Sequence, residues 1–209
     1  MAFLQKIETE FGIIGIWKIT EPLQELEFTC NLSEKERSKL NLISAVKRKK
    51  EFLIVRILLK ELLGFNPEII YEETGKPKLA NSTLNISISH SDSLVVVFIS
   101  EKSIGIDVEN YERDVNKIAH RFLHHSEIEF VEKSANKQHL KIILWCAKEA
   151  VFKCCREQVV KFDSEIIIPP FQVKENENFS GKAIGTMQIS YFKLWFFYVE
   201  NNVVVCCVA

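Results

Sequence analysis

Asp107 and Glu109 stand two apart in the run Ile104-Gly-Ile-Asp-Val-Glu109, and the string Trp145-Cys-Ala-Lys-Glu-Ala-Val-Phe-Lys153 adds a third acid, Glu149, bracketed by Lys148 and Lys153. The first run is short, apolar and rich in β-branched residues, which predicts a strand, and on a strand residues i and i+2 share a face. Both carboxylates then project side by side. The stretch from Lys137 to Cys155 has helical apolar spacing, with Ile142, Ile143, Trp145, Cys146, Val151 and Phe152, so Glu149 and Lys153 share a face at i, i+4. If that helix packs across the strand, three acids meet with a lysine beside them. Hard cations such as Mg²⁺ take a few carboxylates plus water and phosphate oxygens, and like charges so close are costly without a counter-charge. The pattern points to a divalent cation and a phosphate-bearing substrate. A blander arrangement is open at this point: Asp107 and Glu109 end a strand at the surface, and Glu149 pairs with Lys153 as a solvated salt bridge.

The elements that must position these residues read as follows. An extended stretch near Gly12 to Ile19 is followed by a helix that Ser33 and Glu36 start as a capping box. A longer helix runs from Ala45 to Leu63, with Phe52, Val55, Leu58, Leu59 and Leu62 on one face and Gly64 as its stop. Strands are predicted at Ile69 to Glu72, Leu84 to Ser89, Leu94 to Ser100 and Ile104 to Glu109. Next come helices near Asn116 to Leu123, from a Ser126/Glu129 cap, and from Lys137 to Cys155. Strands then follow at Glu165 to Ile168, Thr186 to Ser190, Tyr191 to Val199 and Val203 to Val208, with Asn201-Asn202 as a tight hairpin. Helices backed by mostly antiparallel sheet in each half make an α+β pattern.

Composition sets limits. With 209 residues, 47% hydrophobic, and a formal net charge of −1, the chain can bury a substantial core as one or two small domains of a soluble protein. Near-neutral charge argues against a nucleic-acid binder with a broad basic face. No signal-peptide pattern opens the chain and no apolar run has the length of a membrane span, so a cytoplasmic protein with no membrane partner is expected. The six cysteines include no C-x-x-C, which predicts reduced structural thiols. His120, His124 and His125 lack an acidic or cysteine partner and read as surface residues. The run Lys47-Arg-Lys-Lys50 opens a helix, where cations oppose the macrodipole. An anionic ligand would give a reason for them there.

Four segments in order, Gly75-Lys-Pro77, Ile86-Ser-Ile-Ser-His-Ser91, Gly105-Ile-Asp-Val-Glu109 and Trp145 to Lys153, resemble the signature of the 4′-phosphopantetheinyl transferases of the surfactin-synthetase-activating type. The resemblance implies a pseudo-dimer of two similar α/β halves with the coenzyme in the cleft between them; with a boundary placed near Glu101 to Ser103, residues 1–102 are expected to carry coenzyme A nucleotide contacts and residues 103–209 the metal-binding and catalytic residues. It implies transfer of the phosphopantetheine arm of coenzyme A to a serine of an apo acyl or peptidyl carrier protein, releasing adenosine 3′,5′-bisphosphate. Mg²⁺ would be held by Asp107, Glu109 and Glu149, with Mn²⁺ expected to substitute. Glu149 would take the serine proton, and Lys153, with Lys148, would offset charge on the phosphates. Gly75, Lys76, Pro77 and Ser89 resemble the nucleotide-binding elements, Lys76 facing the 3′-phosphate. His90 and Arg48 would contact phosphates, and Arg56, eight residues after Arg48, matches a second arginine of the same pattern. A non-catalytic relative that holds coenzyme A or a carrier protein is the alternative.

Two departures from the family pattern stand out. Ser87 occupies a position that is often Asn, and Cys154-Cys-Arg-Glu-Gln-Val replaces a stretch that often holds a glycine. Glu127 aligns with a glutamate that many members carry, and otherwise reads as a first-turn acid favoured by the helix dipole. A chain with both halves is expected to act as a monomer. The carrier is expected to dock on Asn116 to Phe130, through Lys117, Arg121, Phe122, Leu123 and Phe130, unless the three apolar residues are core.

Overall fold

A computed structural model describes residues 3–155, 161–186 and 188–209. Its strands are β1 (Phe3–Thr9), β2 (Gly12–Lys18), β3 (Ile69–Tyr71), β4 (Pro77–Leu79), β5 (Asn85–His90), β6 (Leu94–Ser100), β7 (Ile104–Asn110), β8 (Ile166–Ile167), β9 (Phe179–Ile184), β10 (Ile189–Val199) and β11 (Asn202–Val208). They form two antiparallel sheets, in the orders β1-β2-β6-β5-β4-β3 and β7-β11-β10-β9-β8. The helices are α1 (Leu23–Thr29), α2 (Glu34–Leu42), α3 (Val46–Leu63), α4 (His125–Glu132) and α5 (Lys137–Cys154). The chain is α+β, as its patterning predicts. Each sheet carries one 18-residue helix, α3 on the first and α5 on the second.

Three apolar layers hold these parts together. One lies between α3 and the first sheet and contains Leu58, Trp17 and Val97; a second lies between α5 and the second sheet and contains Ile143, Ala147, Val205 and Cys207. The third lies between the sheets and contains Ile16, Val96, Phe98, Ile106, Val108, Val204 and Cys206. Alternate residues of β6 and β11 feed different layers, so both strands are buried along their whole length and read as unbroken apolar runs. The adjacent Cys206 and Cys207 therefore point to opposite faces, and all six cysteines are free thiols.

Local signals explain most boundaries. Ser33 Oγ accepts from Glu36 N at 3.3 Å while Ser33 N donates to Glu36 Oε2 at 3.1 Å, which starts α2 as predicted. Helix α3 stops at Gly64, whose φ of 79° suits a residue without a Cβ. It is buried on nearly every side from Leu53 to Leu59, because α1 and α2 cover the side away from the sheet. Gly105 lets α5 lie against β7, since a Cβ there would meet Ala150 O at 1.8 Å.

Several expectations shift. Strands β1, β4 and β9 were not anticipated, and Ile189 and Ser190 belong to β10, not to a separate strand from Thr186. In β9 the inward positions are Phe179, Gly181 and Ala183, and the two small residues weaken the apolar alternation. Asn116–Arg121 is a 3-10 turn, not an α-helix. The cap of α4 is His124, whose N donates to Glu127 Oε2 at 2.8 Å, instead of Ser126 with Glu129. The last hairpin turns on Glu200 (φ 50°) and Asn201, one residue earlier than predicted. Asn202 is thereby buried, and its Nδ2 donates to Ser93 Oγ of the first half at 3.4 Å.

Candidate functional site

Strand β7 is an edge of the second sheet, bonded to β11 on one side and facing β5 on the other. Its outward backbone groups at Ile106 are satisfied by side chains: the N–H donates to Ser87 Oγ at 3.0 Å and the C=O accepts from Lys153 Nζ at 3.0 Å. Alternation in β5 makes this possible, because Ile86 and Ile88 pack towards α3 while Ser87 and Ser89 face β7. Ser87, the departure from the usual Asn, thus joins the two sheets. The next residue along β7 is Asp107. Its Oδ1 accepts from Ser89 Oγ at 2.7 Å and from Lys153 Nζ at 2.8 Å, and its Oδ2 is buried without a hydrogen-bond partner.

Lys153 therefore pairs with Asp107, not with Glu149, which removes the solvated i, i+4 arrangement as a description of this helix face. Glu109 Oε1 accepts from Trp145 Nε1 at 3.2 Å and from the Arg113 guanidinium. Burial pushes the Glu149 carboxyl up to about 7, and the charge of Asp107 adds to this while Lys153 opposes it. Burial and then Asp107 raise Glu109 as well. The three acids thus lie close enough to disfavour one another's ionisation. Among the described residues, no group of three His, Cys, Asp or Glu side chains is arranged to hold a metal ion as it stands. Lys153 and Arg113 already occupy Asp107 Oδ1 and Glu109 Oε1.

Of the three acids, Glu109 lines a cleft of about 630 Å³. The first half supplies Lys47, Arg48 and Glu51 from α3 and His90 from the end of β5; the second supplies Glu109 and Arg113. Arg48 Nη1 donates to His90 Nε2 at 2.6 Å and to Glu51 Oε2 at 2.8 Å, and Lys47 pairs with Asp92 at 2.5 Å. The cleft thus holds paired cations at the mouth of an acidic cluster.

Other candidates sit elsewhere. Arg56 is buried towards α2, pairing with Glu36 at 2.8 Å and donating to Phe52 O, so it does not reach the cleft. Arg48 and Arg56 are two turns apart on α3, and the helix carries the second into the α2 contact. Lys148 is fully buried on the core side of α5, paired with Glu127 at 2.8 Å and donating to Phe162 O and Ile166 O. The turn with Gly75 (φ 83°), Lys76 and Pro77 joins β3 to β4, outside the cleft lining. His120 and His125 are exposed as expected, whereas His124 caps α4. Phe122 and Leu123 belong to the core and Phe130 packs on it, so the apolar part of the expected docking stretch is not surface. Of Cys154-Cys-Arg-Glu-Gln-Val, residues 156–159 lie outside the described residues. Sequence reasoning missed Arg113, which sits in no motif, and Glu51, whose neighbours in sequence read as an ordinary charged helix start.

Comparison with known proteins shows the family. A model of the 4′-phosphopantetheinyl transferase superfamily matches residues 103–208, the half that carries Asp107, Glu109, Glu149 and Lys153. The chain is similar to the 4′-phosphopantetheinyl transferase gsp of Aneurinibacillus migulanus, at 34% identity over 107 residues, covering 49% of this chain and 45% of that protein. It is also similar to the 4′-phosphopantetheinyl transferase AcpT of Escherichia coli O157:H7, at 32% identity over 115 residues, covering 51% and 57%. The matches span about half the length of these curated relatives. With the family model covering half of the chain and including the acidic strand and its helix, the chain belongs to the 4′-phosphopantetheinyl transferase superfamily.

Proposed function

We propose that this protein transfers the phosphopantetheine arm of coenzyme A to a serine of an apo carrier protein, releasing adenosine 3′,5′-bisphosphate. The observation that carries the reading is the convergence of Asp107, Glu109 and Glu149 at the seam of two sheets, with Glu109 lining a cleft that Arg48 and His90 line from the first half. The division of labour follows the two sheets: residues 1–102 take the nucleotide end of the coenzyme, and residues 103–209 carry the acids.

The acids fit a hard divalent cation, Mg²⁺ or Mn²⁺. All their donors are oxygens, Asp107 Oδ2 is buried without a partner, and the carboxylates raise one another towards protonation. Such an ion, when bound, neutralises charge on the pyrophosphate and on the leaving phosphate. The chain's own groups do the rest. Lys153 Nζ, held by Ser89 Oγ at 3.1 Å and Ile106 O, is a fixed cation beside the reacting phosphate. Glu149 has a carboxyl near neutrality in its affinity for protons, which suits a base that takes the serine proton as the oxygen attacks phosphorus. Arg48 and His90 are assigned to phosphate oxygens in the cleft, and Lys76, whose β3–β4 turn lies outside the cleft lining, to the 3′-phosphate of a coenzyme that extends beyond it. Lys148 and Arg56 take no part, being committed to buried ion pairs.

The reaction is placed in the cytoplasm, and no helix among the described residues is long and apolar enough to cross a membrane. Because one chain supplies both walls of the cleft, the active form is a monomer. Incubating the protein with coenzyme A, Mg²⁺ and an apo carrier protein, then recording the carrier's mass, tests the reading. A gain equal to the phosphopantetheine arm is expected. Coenzyme binding with no mass gain would make the protein a binding relative instead.

A further inference from the structure

Glu51 is an acid in a cleft assigned to phosphates. It is 3% exposed, and it lies under the two groups meant to receive the anion. Its Oε2 is 2.8 Å from Arg48 Nη1 and 3.5 Å from His90 Nε2, and its Oε1 is buried with no hydrogen-bond partner. Arg48 Nη1 lies 2.6 Å from His90 Nε2 and 3.3 Å from Nδ1; a guanidinium only donates, so the nearer nitrogen, Nε2, is assigned as the acceptor and the ring proton to Nδ1. His90 is neutral in this arrangement, and Arg48 is neutralised by Glu51. The ligand-free cleft is balanced within itself.

An incoming phosphate upsets that balance. The Arg48 side chain is 59% exposed and can swing to a phosphate oxygen, whereas Glu51 is fixed in the wall. Once Arg48 leaves, His90 Nε2 has lost its donor and stands next to a carboxylate that has lost its cation. One proton on Nε2 satisfies both, and leaves Nδ1–H for the phosphate. We propose that Glu51 is a positioning residue which stores Arg48 and His90 over the ligand-free cleft and then becomes the counter-ion of a protonated His90, so that binding of a coenzyme phosphate takes up one proton from solvent. This inference rests on the assignment of Arg48 and His90 to coenzyme phosphates. The groups facing His90 fit it: Arg48 on α3 and Lys153 on α5 oppose the charged ring, as burial does most, while Glu51 is the main influence favouring it. Asp92 beyond β5 is tied to Lys47 at the rim, and Asp107 and Glu109 across the cleft hold Lys153 and Arg113.

The test is calorimetric titration of coenzyme A into the full chain, with Mg²⁺ saturating throughout, in two buffers of different ionisation enthalpy. At about pH 7.5 the phosphate's own second ionisation, near pH 6, is complete, so proton exchange reports the protein. Net uptake is expected for the wild type, relative to both Glu51→Gln and His90→Gln. Affinity in Glu51→Gln should fall on the order of tenfold, because the charged ring loses its partner. Thermal melting checks the fold, and His90→Gln carries the test if Glu51→Gln does not fold. Equal proton exchange in wild type and His90→Gln, or in wild type and a folded Glu51→Gln, overturns the proposal. Failure of coenzyme A to bind the wild type overturns the functional reading as well.

Discussion

Lys153 reaches past Glu149 on its own helix and places Nζ 2.8 Å from Asp107 Oδ1 on the neighbouring strand. That link ties α5 to β7 and supplies the acids with a resident cation. Arg113 does the same for Glu109. Protein cations thus hold two of the three carboxylates, and the proposed metal would have to exchange with them.

Asp107→Asn should reduce transfer on the order of 100-fold or more, because it removes charge from the centre of the acidic cluster. The fold should persist, since Lys153 keeps Ser89 Oγ and Ile106 O. Asp107→Ala should also abolish transfer in a folded protein. Near-normal turnover in either variant, with circular dichroism showing native structure, would remove Asp107 from the site.

The raised Glu149 carboxyl gives a signed pH dependence. Its folded value, about 7, lies above the ordinary 4.5, so the native state binds more protons than the unfolded state between those values. Stability from this group is complete below about pH 4.5 and is lost as pH rises through about 7. Melting temperatures of wild type relative to Glu149→Gln in chelator should decline over that window. Adding Mg²⁺ should flatten the decline, and a difference independent of pH would contradict the assignment.

Dephospho-coenzyme A, which lacks the 3′-phosphate, should bind more weakly than coenzyme A. The contrast should narrow in Lys76→Ala, although Arg48→Ala should weaken both ligands. Equal wild-type affinity for the two compounds would free Lys76 of its proposed role.

Glu127 and Lys148 are each fully buried, and Glu127 also accepts from His124 N and Ile168 N at 2.8 Å. Burial raises the carboxyl and lowers the ammonium, and each partner opposes the other's shift. Removing one member leaves a buried charge, so Lys148→Met should cost about 3–5 kcal/mol in denaturant unfolding. Coenzyme affinity in the folded fraction should stay near that of the wild type. A large loss of affinity there would return Lys148 to the binding site.

Arg121 is exposed at the end of the 3-10 turn, beside core residues Phe122 and Leu123. Arg121→Glu should raise the Michaelis constant for an acidic carrier severalfold and leave that for coenzyme A nearly unchanged. Sedimentation should give a monomer at assay concentrations. An unchanged carrier constant would place docking on another face.

Much of this molecule was legible in its sequence, because much of it is set by short-range patterns. The Ser33/Glu36 box, the Gly64 stop, the 18-residue runs of α3 and α5, and the Asp107/Glu109 pair on one strand face all depend on neighbours within a few positions. Strand β9 escaped because Gly181 and Ala183 do its inward packing against large partners elsewhere in the chain. What the sequence could not decide is which of two equivalent-looking cations serves the site. Lys148 and Lys153 flank Glu149 alike in the string, yet five residues on a helix turn one into the core against Glu127, 21 positions earlier, and the other across to Asp107. Arg48 and Arg56 part in the same way, one to the cleft and one to Glu36. Side-chain direction relative to distant elements follows from packing of α2, α4 and β5 against the long helices, and those long-range contacts exist only in the folded chain.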